Sequence, residues 1–215
     1  ESLSIDGWSL SNEKTSALLN KIKSIGLPLY QYVGDKYYSG IKSGLDSTFV
    51  LDKRIADECF SSDKKYTEIL KPYIAGKDIG RYKIIDINRF IILFPRGWTN
   101  NKYSSSKNKW DAIEKDYPII AKHLANNKEA AEKRYDQGDY WWELRACDYY
   151  DEFGKKKIIY NKFQVKPLFT YDDSGVYPNT AVFSIPTEDR SLLAILNSRM
   201  GWFLISHHCT QIQNG

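Results

Sequence analysis

Ile69-Leu70-Lys71-Pro72-Tyr73-Ile74-Ala75-Gly76-Lys77-Asp78-Ile79-Gly80-Arg81-Tyr82 is the stretch on which the reading of the chain turns. Two short helical segments are expected before it, around Lys53–Cys59 and Lys64–Leu70, the second opened by the capping candidates Ser62 and Asp63. Lys71-Pro72 reads as the stop of that helix, because proline cannot continue the hydrogen-bond ladder. Gly76 and Gly80 mark a turn-rich passage. Beyond it, Tyr82–Ile85 and Arg89–Phe94 look like two strands joined by Asp86-Ile87-Asn88, a loop of hairpin length. The pattern therefore changes from helical to extended within one short span.

Working outward toward the N-terminus, a helix is expected with Ser11 as its N-cap. Leu18, Ile22 and Ile25 form one face, and Gly26 with Pro28 ends it. Strands follow at Leu29–Val33 and Thr48–Leu51, on either side of a turn at Gly40 and Gly44. Toward the C-terminus, Thr99 to Lys109 is polar and reads as a mobile loop. Trp110 to about Arg134 is helical in pattern, with Pro118 acceptable in a first helical turn. Strands return at Lys157–Asn161, Leu168–Tyr171 and Thr180–Ile185. Arg190 to about His208 is an apolar helical pattern containing Leu192, Leu193, Ile195 and Leu196. This order argues for α+β: a mixed or antiparallel sheet with flanking helices in a single domain.

The composition excludes several classes. Of the 215 residues 42% are hydrophobic and 27% charged, as in a folded protein rather than a disordered one. The apolar run Phe90-Ile91-Ile92-Leu93-Phe94 has strand length, far short of the ~20 residues a membrane helix needs. The N-terminus shows no basic-then-apolar export signal. Glu1 opens the chain and the single methionine is Met200, so a piece of a longer protein is expected. Cys59, Cys147 and Cys209 are odd in number and far apart, which fits a reducing cytoplasm. The 31 Lys+Arg against 27 Asp+Glu leave +4, enough to permit a polyanionic partner without requiring one. The 16 Tyr and 6 Trp are a mix enriched at binding surfaces.

Motifs of catalysis are missing. There is no Gly-x-Gly-x-x-Gly, no Walker sequence and no Gly-x-Ser-x-Gly elbow. Asp63-Lys64-Lys65 has a spacing found in metal-dependent nucleases but reads better as a solvated helix cap. His207-His208-Cys209 lacks a fourth zinc ligand at sensible spacing and reads as packing. His123 reads as a structural helix residue. No catalytic residue and no metal site are assigned.

Five segments, taken in order, resemble the TaqI-like C-terminal specificity domain of type II restriction-modification enzymes. They are Gly40 through Asp52, with its glycine turn entering a strand; Ile69 through Tyr82; and the block from Tyr117-Pro118 through His123-Leu124, Arg134 and Gly138 to Trp141-Trp142-Glu143-Leu144-Arg145. The last two are Phe153 through Tyr160 and Leu192 through Ser198. The resemblance implies a target-recognition domain for double-stranded DNA over 29–188. A leading helix or linker would occupy 1–28, and the start of a truncated helical segment 189–215. It further implies a methyltransferase domain in cis, acting on adenine N6 with S-adenosylmethionine. Mg²⁺ would be needed where a nuclease is fused, and no membrane is involved.

Reading a duplex needs phosphate contacts for position and base contacts for sequence. Lys71, Lys77 and Arg81 suit phosphates, and Arg81 or Arg96 suits guanine O6 and N7. The Gly40–Gly44 turn lets Lys42 and Ser43 approach a phosphate, and Arg96 and Trp98 stand where a strand opens into a loop. Arg145 completes the set of DNA-facing residues. Each has a structural counterpart: a helix stop at Lys71, an Arg81–Asp78 pair, core packing for Trp141, Trp142 and Leu144, and a buttress at Arg145. Base-reading side chains are expected where the family motifs fall silent, in Arg96–Lys109 and Lys162–Tyr177. The central expectation is one cationic surface built from Lys42, Lys77, Arg81 and Arg96. A carbohydrate-binding module and a protein-interaction scaffold are the rival readings.

Overall fold

The computed structural model describes residues 12–209. Ser11, the expected cap of the first helix, lies outside them. Asn12 caps instead: its side chain accepts from the Thr15 N–H at 2.9 Å, and the helix runs Glu13–Ile25. Of its apolar residues only Leu19 is buried, while Leu18 and Ile25 of the expected face are exposed. Leu29–Val33 is not a strand. Leu29–Tyr32 is a single helical turn behind Pro28, with Leu29, Tyr30 and Tyr32 exposed, so no neighbouring strand imposes extension on it.

Eight short strands build two four-stranded sheets among the described residues: β1 (Tyr38–Ser39), β2 (Val50–Asp52), β3 (Leu70–Ile74), β4 (Arg89–Ile92), β5 (Lys157–Asn161), β6 (Phe169–Asp172), β7 (Tyr177–Pro178) and β8 (Val182–Pro186). One sheet has the order β2-β4-β3-β7 and the other β1-β8-β5-β6. All pairs are antiparallel except β3 with β7. The α+β class therefore holds, with two sheets where one was expected.

The region around the opening stretch departs from its sequence reading. The helix before it is short, Tyr66–Ile69, and Lys71-Pro72 lies inside β3 rather than in a turn. Proline is tolerated there because β7 begins to pair only at Tyr73, leaving one side of Pro72 open. The hairpin of Tyr82–Ile85 with Arg89–Phe94 does not form. β4 pairs with β2 and β3, and residues 79–84 keep only the bridge Ile79↔Ile84. They close on themselves, with Gly80 N–H donating to Lys83 O at 2.9 Å, and reach the second sheet, where Tyr82 N–H donates to Phe169 O at 3.0 Å.

The expected mobile loop at Thr99–Lys109 is folded. Helix Trp98–Lys102 fills its first half, and the Lys109 ammonium donates to the carbonyls of Tyr103, Ser104 and Ser106 in the second. The helical pattern beyond breaks into Lys109–Asp116, Pro118–Ala125 and Lys128–Lys133, with Pro118 at the first helical position. His123 is structural, its Nε2 lying 3.0 Å from Thr48 O. Asp63 is not the N-cap that the sequence suggests: it ends helix Lys53–Ser62 and accepts from the Lys65 N–H at 2.8 Å in the turn, while Tyr66–Ile69 starts behind Lys65 without a side-chain cap. The C-terminal pattern divides at Asn197 into Arg190–Leu196 and Arg199–His208. No helix of the described residues is long and apolar enough to cross a membrane.

The first sheet carries the main core, where Phe49, Ile91, Phe94, Tyr117 and Leu144 meet. The second sheet buries both faces. Ile158 and Ile185 pack on Leu192, Leu193 and Leu196, while the neighbouring Ile159, with Val182, packs on Ile74 and Ile79. The period of two along β5 thus presses residues 74–79 against one face of the sheet. The sheets are stitched where β7 leads into β8. Ile41 N–H donates to Pro178 O and Gly40 N–H to Val182 O. A Cβ at Gly40 would lie 2.1 Å from Asn179 O, so only glycine fits.

A fully buried ion pair fixes the register of β5 and β6. Lys157 faces Asp172 across the strands and donates to it, and to the carbonyls of Phe153 and Lys155. Asp172 also accepts from Ser174 N–H, Ser174 Oγ and Val176 N–H. Lys157→Met would leave this carboxylate buried without its counter-charge, so urea denaturation is expected to register a loss of about 3–5 kcal/mol.

Candidate nucleic-acid interface

Two neighbourhoods carry the expected DNA-facing residues, and they differ in how their charges are balanced. The first is organised by two ionisable side chains inside the fold. Arg134 is buried and donates to Ser43 O (2.6 Å), Asp136 O (2.8 Å), Trp141 O (3.0 Å) and Glu143 O. Its guanidinium lies 4.1 Å from the centre of the Phe49 ring. Burial pulls its pKa down to about 10, partly countered by Asp136, so it stays charged at neutral pH. Glu143 is fully buried and accepts from the N–H groups of Gly97 (3.1 Å), Thr99 (2.9 Å) and Asp139 (2.9 Å). Two of these belong to the start of helix Trp98–Lys102, where unpaired N–H groups favour a carboxylate. Gly138 has no room for a Cβ, which would sit 2.5 Å from Glu143 Cβ.

Around this node the 134–145 loop gathers three exposed cations, each on an aspartate. Asp136 takes Lys42 at 2.9 Å and Arg145 at 3.7 Å, and Asp139 takes Arg96 at 2.7 Å. Lys42 and Arg145 line one cleft of about 400 Å³ with Tyr149 and Thr180. The buttress expected at Arg145 is supplied by Arg134. Trp142 and Leu144 are buried as expected, and Trp141 is half-buried on Trp110 at 4.8 Å. Ser43 is corrected: it is buried, donates to Asp46 and accepts from Leu45 N–H, so its side chain supports the turn. Trp98 packs against Phe94 at 4.6 Å and Tyr103 at 5.9 Å instead of opening outward. Lys71 caps the preceding helical turn, donating to Thr67 O at 2.8 Å, and burial lowers its pKa.

The second neighbourhood is the neck of the β5–β6 hairpin, closed by the pair Tyr160↔Phe169. Residues 76–83 lie across it. Asn161 Nδ2 donates to Gly76 O at 2.9 Å, and Thr170 Oγ1 donates to Gly80 O at 2.6 Å and Lys83 O at 3.2 Å. Lys77 therefore stands beside one foot of the hairpin loop and Arg81 beside the other. Arg81 does not pair with Asp78, which binds Arg89. It donates to Asn197 O at 2.6 Å and lies 5.3 Å from the Tyr82 ring. The loop itself adds Lys162 and Lys166. None of Lys77, Arg81, Lys83, Lys162 and Lys166 takes part in an ion pair among the described residues, and all five are exposed.

The single cationic surface expected from the sequence is thus divided. Lys42 and Arg96 belong to the acid-paired neighbourhood, Lys77 and Arg81 to the unpaired one. Lys83, Lys162 and Lys166 are residues that the sequence reading misses, although Lys162–Tyr177 is marked there as a stretch. The signal is present, since residues 161–168 hold two lysines and no acidic side chain. No group of three or more His, Cys, Asp or Glu that would hold a metal occurs among the described residues.

The Arg134 node is testable by itself. Lysine cannot span four carbonyls, so Arg134→Lys is expected to cost about 3 kcal/mol, or roughly 6–12 °C in thermal melting for a chain this size.

A comparison with curated proteins finds no match. Among solved structures, the fold is similar to the Type IIL restriction-modification enzyme MmeI in complex with DNA, with a TM-score of 0.52 and 11% identity. The similarity covers 76% of this chain and 20% of that one, so the chain spans about a fifth of the enzyme's length. The model of the TaqI-like C-terminal specificity domain matches residues 71–214, beginning inside β3 and leaving the Gly40–Asp52 stretch outside. Covering the hairpin neck, the Arg134 node and the C-terminal helices in one match, it identifies the chain as a member of the TaqI-like C-terminal specificity domain family.

Proposed function

We propose that the chain recognises a particular double-stranded DNA sequence for a restriction-modification enzyme and carries no chemistry of its own. The observation that supports this most is the group of exposed cations at the hairpin neck, Lys77, Arg81, Lys83, Lys162 and Lys166, with no acidic partners among the described residues. Unpaired cations grouped round one protruding loop suit a backbone carrying a charge at every nucleotide. Lys42, Arg96 and Arg145 form a second, reserve set in this reading. The Arg96–Asp139 pair lies at the surface, where such pairs are worth at most about 1 kcal/mol, so a phosphate competes with Asp139 at little cost; Asp136 is more deeply set and holds Lys42 and Arg145 more firmly.

The finer reading assigns the parent protein an adenine-N6 methyltransferase domain in cis, with or without a nuclease, working in the cytoplasm. S-adenosylmethionine, and Mg²⁺ for any nuclease, belong to that remainder. The target adenine must leave the base stack to be methylated, and the share of this chain is to hold the register while it does. The tryptophans that raised a carbohydrate reading are used in packing: Trp110, Trp141 and Trp142 pack on one another and on Tyr140, and Trp98 packs on Phe94 and Tyr103.

Duplex binding by the 215-residue chain, followed across a salt series, tests the proposal. Affinity is expected to fall steeply with salt, and Lys77→Ala with Lys83→Ala to flatten the log–log slope by about 0.9 for each phosphate no longer neutralised. An affinity that ignores salt would count against DNA binding. For the parent, methylated adenine in the genomic DNA of an expressing strain is the expected product.

A further inference from the structure

The loop between β5 and β6, Lys162-Phe163-Gln164-Val165-Lys166-Pro167-Leu168, displays two apolar side chains to solvent, while Pro167 and Leu168 are half-buried. Phe163 is 65% exposed and Val165 81%. The loop is nonetheless held in shape. Gln164 Nε2 donates to Asn161 O at 3.2 Å, and its Oε1 accepts from Leu168 N–H at 2.8 Å. One amide thus ties both ends of the loop, and the residues on either side of Gln164 are the exposed ones. Lys162 N–H is anchored to Ala181 O at 2.8 Å, and its ammonium lies 5.6 Å from the Phe163 ring centre. An ordered loop that exposes an aromatic and a β-branched residue between two lysines forgoes the stabilisation that burying them would bring. Nothing else among the described residues covers these two side chains, and the charge in the loop has one sign.

We infer that this loop enters a groove of duplex DNA, with Phe163 and Val165 in apolar contact with the bases and Lys162 and Lys166 on the flanking phosphates. The inference rests on the DNA reading above and assigns base contact within it. The chemistry matches both sides. Base faces and thymine methyl groups are apolar surfaces lying between two rows of phosphate, and apolar wedges flanked by cations unstack base steps. The 134–145 loop also exposes an aromatic, Tyr135, but the cations beside it, Lys42 and Arg145, are held on Asp136, whereas the lysines of the β5–β6 loop carry no such ion pair among the described residues.

The test uses the 215-residue chain and a fluorescein-labelled duplex, and separately a duplex in which 2-aminopurine replaces adenine throughout one strand. The wild-type chain is expected to bind with a salt-dependent affinity and to brighten the 2-aminopurine. Phe163→Ala with Val165→Ala should weaken binding by about tenfold, the range expected when one base–aromatic stack is removed, and abolish the brightening. The same variant should keep the salt slope. Lys162→Ala with Lys166→Ala should instead lower the slope by about 1.8, the equivalent of two phosphates. Phe163→Leu, still an apolar wedge, should retain the brightening. All these side chains are exposed, so thermal melting should match the wild type. If the Phe163/Val165 variant binds and brightens like the wild type while the lysine variant loses slope, the inference is overturned and the DNA reading stands. If the wild-type chain shows no salt-dependent binding, both fail.

Discussion

Everything at the hairpin neck depends on where the backbone of residues 76–83 finds its hydrogen bonds. Peptide groups pressed against a sheet must be paired. Some bonds are local, such as Gly80 N–H to Lys83 O and Ile85 N–H to Asp78 O, and the rest go to Asn161, Phe169 and Thr170, at the end of β5 and the start of β6. That choice cancels the local hairpin which residues 82–94 would otherwise make. It also carries Lys77, Arg81 and Lys83 to the loop holding Lys162 and Lys166, some 85 residues away along the chain. The ridge of Ile74 and Ile79 on Ile159 and Val182 keeps the contact dry.

Charge is used in three ways in this fold. Lys157 with Asp172, and Arg134 with Glu143 close by, are removed from water and hold strands and loops in register. Removing one partner of such a group leaves the other buried and uncompensated, which is where its energetic weight lies. Lys42, Arg96 and Arg145 lean on aspartates at the surface, where water and salt weaken the attraction. The hairpin-neck cations have no such counterweight among the described residues. A net charge of +4 conceals this distribution, which is why the overall balance says so little about the partner.

The strands at Lys157–Asn161, Phe169–Asp172 and Val182–Pro186 are legible in the sequence because their alternation is local, and so is the Pro118 helix start. Leu29–Tyr32 is misread because its apolar residues are compatible with either period and its exposed side chains leave packing nothing to decide. The 79–84 segment is misread for the opposite reason: its partners lie in the second sheet, beyond any local pattern. At the site, family likeness points correctly to the importance of Arg134, Gly138 and Glu143 without revealing their work. That work is a set of contacts to backbone carbonyls and N–H groups, which side-chain spacing does not encode. Asp136 and Asp139 as brakes on the nearby cations are equally invisible, since pairing across the fold leaves no mark in the sequence.

Gly40 has one more consequence. With no side chain to hold the strands apart, its backbone sits directly against Pro178 and Asn179, and the joint between the sheets has no slack. A partner spanning both sheets would meet a preset shape, with little ordering entropy left for the protein to lose on association. Discrimination would then fall on how readily the other molecule bends to fit, so that unstacking and groove width in the nucleic acid, rather than rearrangement of the polypeptide, separate the right sequence from its neighbours.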